Sequence, residues 1–164
     1  MDITILAMQA ADWPAVERIY LEGIADGNAT FETASPGWEK WNLVHHTHSR
    51  LVAQENGQVV AWAALTPVSS RQVYRGVAEA SIYVAESARG KGIGRRLLIE
   101  LIRKSELNEI WTLQAGIFPE NAASIALHKS CEFREVGVRE RIGQLGDRWR
   151  NTVLLERRSP IVGV

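Results

Sequence analysis

The chain has 164 residues, 46% of them hydrophobic and 23% charged, with 19 basic and 19 acidic side chains that leave a formal charge of zero. That composition suits one globular domain over residues 1–164, and it supplies no overall field that would draw the protein to nucleic acid or a membrane. One cysteine, Cys131, excludes an internal disulfide framework and a cysteine zinc cluster; the first residues lack a signal-like apolar run, and no stretch reaches membrane-spanning length, so a cytoplasmic protein is expected.

Ile3 to Ala7 alternates as a short strand. Asp12 is placed to cap a helix with Pro14 in its first turn. Val16, Ile19, Tyr20 and Ile24 mark that helix's apolar face, and Gly23 and Gly27 are expected to end it. Asn28-Ala-Thr-Phe-Glu32 follows, and Ser35-Pro36-Gly37 opens a second helical stretch through Trp38, Trp41 and Val44. Leu51 to Glu55 and Val59 to Leu65 read as strands joined by Asn56-Gly57, a strong hairpin signal. Pro67 to Arg71 reads as a loop and Val77 to Val84 as a strand.

The glycine-rich turn Arg89-Gly-Lys-Gly-Ile-Gly94 comes next, opening into a helix whose apolar positions are Leu97, Leu98, Leu101 and Ile102. Ile110 to Ile117 is strand-like, and Asn121 caps a helix through His128 that carries Ile125 and Leu127. Phe133 to Ile142 and Arg148 to Leu155 close the chain as two strands turned near Gly146-Asp147, with Arg157 to Val164 as a tail. Helices that separate early strands from late ones, without internal repeat or linker, give one α/β domain.

The stretch from Glu79 to Leu98 carries the chemistry. Three glycines at alternate positions let backbone approach a ligand closely, and a helix start presents unpaired N–H groups and the positive end of its dipole. Such a turn suits a phosphate or pyrophosphate. No Gly-Lys is followed by Ser or Thr, so it is not a P-loop, and Arg95 stands where the third glycine of a dinucleotide fingerprint belongs.

What the turn matches is Arg-x-x-Gly-x-Gly over Arg89 to Gly94, preceded by Ser81-Ile-Tyr-Val84. This resembles the acetyl-coenzyme A motif of the GNAT N-acetyltransferase superfamily. Asn28 to Glu32, Arg71-x-x-Tyr74-Arg75, Glu79 to Val84, Asn121-x-x-Ser-x-x-Leu-His128 and Gly146 to Trp149 resemble its phosphinothricin and methionine sulfoximine acetyltransferase-like branch. The resemblance implies an α+β arrangement with a mixed, mostly antiparallel central sheet flanked by helices. It also implies acetyl-CoA as co-substrate, a small amino acid or analogue as acceptor, and a homodimer; the alternative readings are a protein or peptide acceptor, at an N-terminus or lysine, and a non-catalytic acyl-CoA-binding protein. No metal is required by such chemistry. Two departures stand out. Glu132 precedes Phe133 where the family usually has glycine, and Arg150-Asn151 stand where relatives often carry an acidic residue.

Amide formation from a thioester needs a neutral amine, so a base must take the ammonium proton. The resemblance places that base at Glu79, with orientation of substrate as its alternative role. Backbone groups of Ile82, Tyr83 and Val84 would pair with the pantetheine amides, the N–H near Val84 receiving the thioester oxygen. Arg89, Gly90, Gly92, Ile93 and Gly94 would bind the cofactor at its pyrophosphate, with charge from Lys91 or Arg95. Asn121 is assigned to the pantetheine arm or to capping, and Ser130 to the distal cofactor. His128 falls where many GNAT enzymes carry a tyrosine that protonates the thiolate; a core histidine is the other reading. Phe31, Arg71, Tyr74 and Arg75 are expected to select the acceptor, an arginine pairing with its carboxylate. His45, His46 and His48 are expected to be a solvated helix end, and the six tryptophans core and interface residues.

Overall fold

The computed structural model describes residues 2–164, folded as a seven-stranded sheet with four helices. The strands are β1 (Ile3–Ala7), β2 (Leu51–Glu55), β3 (Gln58–Pro67), β4 (Val77–Val84), β5 (Thr112–Ile117), β6 (Arg134–Leu145) and β7 (Arg148–Arg158). The helices are α1 (Trp13–Asp26), α2 (Trp38–Val44), α3 (Ile93–Leu107) and α4 (Ala122–Ser130). Spatial order is β1-β2-β3-β4-β5-β7-β6, antiparallel throughout except for the parallel pair β4 and β5. The mixed, mostly antiparallel sheet follows from hairpins at β2–β3 and β6–β7, while the β4–β5 crossover through α3 makes the one parallel pair.

That parallel pair positions the site. Its register runs Val77↔Thr112, Ala78↔Leu113, Glu79↔Gln114 and stops there. Beyond Glu79 the two strands part, leaving facing edges whose backbone groups have lost their ladder partners.

Leu97, Leu98 and Leu101 of α3 are fully buried against β2, β3 and β4. The opposite face is aromatic. Trp13, Trp41, Trp62, Tyr20 and Tyr83 form a chain of ring contacts with centroids 4.8–5.8 Å apart. Asn56 and Gly57 turn the β2–β3 hairpin with φ of 52° and 80°, as their order in sequence predicts.

Several local expectations are revised. Gly23 does not end α1. The helix continues to Asp26 and closes on left-handed Gly27, while Gly23 lets the Tyr83 ring lie against the helix; a Cβ there would meet it at 2.8 Å. Asp12 precedes α1 but bonds none of its N–H groups, because its own backbone is already helical; its carboxylate accepts from Gln9 N–H at 2.7 Å. Residues 157–164 are not a free tail. Arg157 and Arg158 complete β7, Ser159 is buried with its hydroxyl donating to Glu106 at 2.9 Å, and Arg158 donates to the carbonyls of Ser159, Val162 and Gly163. The histidine cluster is not simply solvated either, since His45 stacks on Trp41 at 4.0 Å. Cys131 is buried beside Phe133 at the end of α4.

Candidate active site

Two adjoining cavities occupy the gap where β4 and β5 part. The first, about 280 Å³, is lined by Glu79, Ser81, the loop Ala29–Glu32, Gly116–Phe118 of β5 and its continuation, His128 of α4 and Thr152 of β7. The second, about 350 Å³, runs from Tyr83 and Val84 to the turn Arg89–Arg95 and the α1 and α4 flanks. Ala29, Ile82, Tyr83, Asn121 and Ser124 line both, so the cavities meet along the free edge of β4.

The second cavity has the features a nucleotide-bearing co-substrate needs. Ala85 N–H donates to Val60 of β3 at 2.8 Å, so alternation along β4 turns the N–H groups of Val84 and Ile82 toward the gap. Gly90 and Gly92 have φ of 75° and 76°, and Gly92 caps α3 in a left-handed conformation that only glycine adopts without strain. The first N–H groups of α3 therefore open onto the cavity, where Arg89 and Arg95 add positive charge. Gly94 lets α3 approach α4 closely, its absent Cβ lying 3.3 Å from Leu127 Cδ2. A pyrophosphate fits this cradle. Lys91 does not join it: its ammonium is turned to Glu55, 3.0 and 3.2 Å from the two carboxylate oxygens. Ser130 lies in neither cavity, its exposed hydroxyl donating to Leu127 O at 2.7 Å as helix residues of this type commonly do.

In the first cavity Glu79 sits on the strand face shared with Ser81 and Tyr83. Burial pushes its carboxyl above the ordinary carboxylate range, partly offset by the Arg139 charge and a hydrogen bond from Gln114. Gly116 keeps the space in front of it open, with Glu79 Oε1 3.9 Å from where a side chain would begin.

His128 is 2% exposed, and its Nδ1 lies 2.7 Å from Ser124 O, an atom that can only accept. The proton therefore sits on Nδ1, and Nε2 is a buried lone pair without a partner among the described residues. Burial also lowers the imidazole pKa. The resting ring thus offers an acceptor, and a proton donated from Nε2 would first have to be acquired. Asn121 combines two tasks: Oδ1 accepts from Ser124 N–H at 3.2 Å as the α4 cap, and Nδ2 donates to Asn28 O at 3.2 Å.

Phe31 walls the first cavity and is anchored at the same time. It meets Phe118 edge-on at 4.8 Å, and its ring occupies the space that Gly143 leaves free. Arg150, 6% exposed, secures this loop by donating to Gly27 O at 3.0 Å and Asn28 Oδ1 at 2.8 Å while lying over Phe118 at 4.0 Å. The chain does not bring Arg71, Tyr74 or Arg75 into either cavity. They occupy the turn before β4, where Arg71 covers Tyr74 and Arg75 covers Trp111 at about 5 Å. The β3–β4 connection, residues 68–76, enters β4 at Val77, two residues before Glu79, but the guanidinium groups of Arg71 and Arg75 are taken up by these rings.

Sequence reasoning missed Thr30, Gly116, Phe118 and Thr152 as cavity residues. Only Gly116 carried a signal, since an isolated glycine inside a strand often marks close approach by a ligand or another group.

Residues 7–133 match the acetyltransferase (GNAT) family model. A phosphinothricin N-acetyltransferase from Alcaligenes faecalis is 32% identical over 160 residues, spanning 94% of this chain and 81% of that protein. Among solved structures, a ribosomal-protein-alanine N-acetyltransferase from Brucella melitensis superposes with a TM-score of 0.88 at 36% identity, over 95% of this chain and 99% of that one. A phosphinothricin acetyltransferase from Sinorhizobium meliloti, solved in complex with acetyl-CoA, gives 0.87 at 30% identity over 99% and 91%.

Proposed function

The chain belongs to the GNAT acetyltransferase family and uses acetyl-CoA as co-substrate, and from that premise we propose that it acetylates the α-amino group of a small amino acid or analogue of the phosphinothricin and methionine sulfoximine type. One observation carries this reading: a small acceptor cavity containing Glu79 opens onto the cofactor cavity along the free edge of β4. Through that junction the acceptor's amine reaches the thioester.

Acetyl-CoA supplies an activated acyl group. Glu79, with its raised pKa, takes one proton from the acceptor's ammonium and leaves an amine able to attack. The N–H of Val84 faces the gap and stabilises the charge that develops on the thioester oxygen. As the C–N bond forms and the C–S bond breaks, the second proton shed by nitrogen balances the departing thiolate. Neutral His128 offers an acceptor at Nε2, not a resting acid. Phe31 and Phe118 close the cavity around a short side chain.

A protein N-terminus is the second acceptor to test, because the Brucella melitensis neighbour is named for that activity. The loop Ala29–Glu32, which lines the cavity and is anchored at Asn28 by Arg150 and Asn121, favours the small molecule, since an extended peptide needs an open groove. A thiol-release screen with methionine sulfone, methionine sulfoximine, phosphinothricin, proteinogenic amino acids and alanine-terminated peptides decides between them. Turnover confined to peptides would sink the small-molecule reading.

The same reading includes a homodimer and a cytoplasmic location. Val136, Val138, Ile142 and Trp149 are exposed on the outer β6–β7 hairpin, supplying an apolar surface for a second copy. The single buried cysteine calls for no oxidising compartment. Among the described residues, no helix is long and apolar enough to cross a membrane.

A further inference from the structure

The acceptor cavity holds two carboxylates, Glu79 and Glu32, and no cation among its lining residues. A free amino acid also brings a negative group, and the arginines first expected to meet it lie elsewhere. The strand registers identify another.

Across β4, β5, β7 and β6, paired residues share a face of the sheet. Glu79 pairs with Gln114; two residues on, Gly116 pairs with Leu154; Leu154 pairs with Gly137; and two residues on from Gly137, Arg139 pairs with Thr152. Glu79, Gly116, Leu154, Thr152, Gly137 and Arg139 therefore all stand on one face. Two of the positions between the acid and the arginine are glycines, and nothing lies within 4 Å of where a Gly137 side chain would begin. Three strand spacings put about 14 Å between the strands. Arg139, level with Thr152, stands four residues along from Glu156, which is level with Glu79, so the two backbones are about 19 Å apart. Long Glu and Arg side chains reaching toward each other reduce that distance to the span of a small zwitterion.

Arg139 is also free to act. Arg134, Arg150, Arg157 and Arg158 each engage carboxylates or carbonyls, but Arg139 makes no side-chain hydrogen bond or ion pair among the described residues. It is exposed on the strand that carries the lip of the cavity. Directly after it the β6 ladder is interrupted, resuming at Gly143↔Arg150, with Arg141 at φ 46° and its N–H given to Asn151 Oδ1 at 2.8 Å. That irregularity sets Gly143 against Phe31 and keeps Arg139 beside Thr152, a wall of the acceptor cavity. The Arg139 charge is already felt at the Glu79 carboxyl.

We propose that Arg139 anchors the acceptor's carboxylate, so that a free α-amino acid lies across the glycine-floored face with its amine at Glu79 and its carboxylate at Arg139. The assignment rests on the small-acceptor reading above and makes it more specific. It explains how a cavity lined by acids selects a zwitterion over a simple amine, which would satisfy Glu79 alone. It also excludes a peptide N-terminus, whose first carboxylate is an amide.

The test is calorimetric binding of L-methionine sulfone and of its carboxamide to the protein saturated with coenzyme A, in wild type, R139M and R139K. Wild type is expected to prefer the acid by about 10- to 100-fold, the range of a charge-assisted pair. R139M abolishes the preference by weakening the acid alone, and R139K restores part of it. Equal binding of acid and amide by wild type, absence of binding by either, or a preference that survives in R139M would each overturn the assignment. The readout does not require turnover. If the thiol-release screen finds peptides as the only acceptors while the Arg139-dependent acid preference holds, the proposed reaction fails and the carboxylate site stands.

Discussion

Glu79 is where burial and chemistry meet. Its raised pKa means that the folded protein holds this proton more tightly than the unfolded chain does. The group's contribution to stability is therefore fully present below the unfolded value and is lost as pH rises through the folded one. E79Q should keep that contribution at high pH, so its melting temperature at pH 8 is expected to match or exceed that of wild type. Activity should move the opposite way. A positioned general base contributes about 10²- to 10⁴-fold, and kcat of the variant at saturating amine should fall by that order. In wild type the acidic limb of the kcat/KM profile should lie above 4.5, the ordinary carboxylate value. An unchanged kcat in E79Q would remove Glu79 from the role of base. His128 behaves in the reverse sense: burial lowers its pKa, so its share of stability is present above 6.5 and is lost as pH falls through the folded value.

At the scale of elements, helix α4 shows how a family departure is absorbed. Glu132 takes the left-handed conformation usually given to glycine, with φ of 70°, and keeps it although it has a Cβ. The turn still closes, since Phe133 N–H donates to His128 O at 3.1 Å, so the ring of His128 stays in place against Phe133. The cost is strain. E132G relieves it at the expense of a more flexible unfolded chain, and the balance should stabilise the fold by about 0.5–1 kcal/mol. In a chain of this size that corresponds to about 1–4 °C in melting temperature. The Arg157–Glu132 pair lost in the variant is exposed on the Glu132 side and offsets little. A lower melting temperature in E132G would show that the pair, not the backbone, dominates at this position.

For the whole molecule, the outer hairpin is the feature that a monomer leaves unexplained. Val138, Ile142 and Trp149 are each more than half exposed, and β6 is an edge strand. Sedimentation is expected to give twice the 18.3 kDa chain mass at micromolar concentration. I142E should shift the protein toward monomer without lowering its affinity for acetyl-CoA, because Ile142 lies in neither cavity. A wild-type monomer across that range would remove the dimer from the proposal.

By itself the sequence determined what depends on local order. The glycine turn, the Asn56-Gly57 hairpin, the Asn121 cap and the strand Val77–Val84 were all legible, because φ requirements, capping and side-chain alternation act within a few residues. Glu79 and the Arg89–Gly94 turn were legible for the same reason, lying on one strand–turn–helix unit. Tertiary structure alone decided the acceptor side. Where β4 and β5 part, the turn of Lys91 toward Glu55, and the ring that takes up Arg75 depend on pairings between distant segments. Arg139 reaches the acceptor face only because three strand registers place it there, two of them pairing residues as distant in sequence as Glu79↔Gln114 and Gln114↔Glu156. A one-residue slip in any of those ladders would turn it to the other side of the sheet.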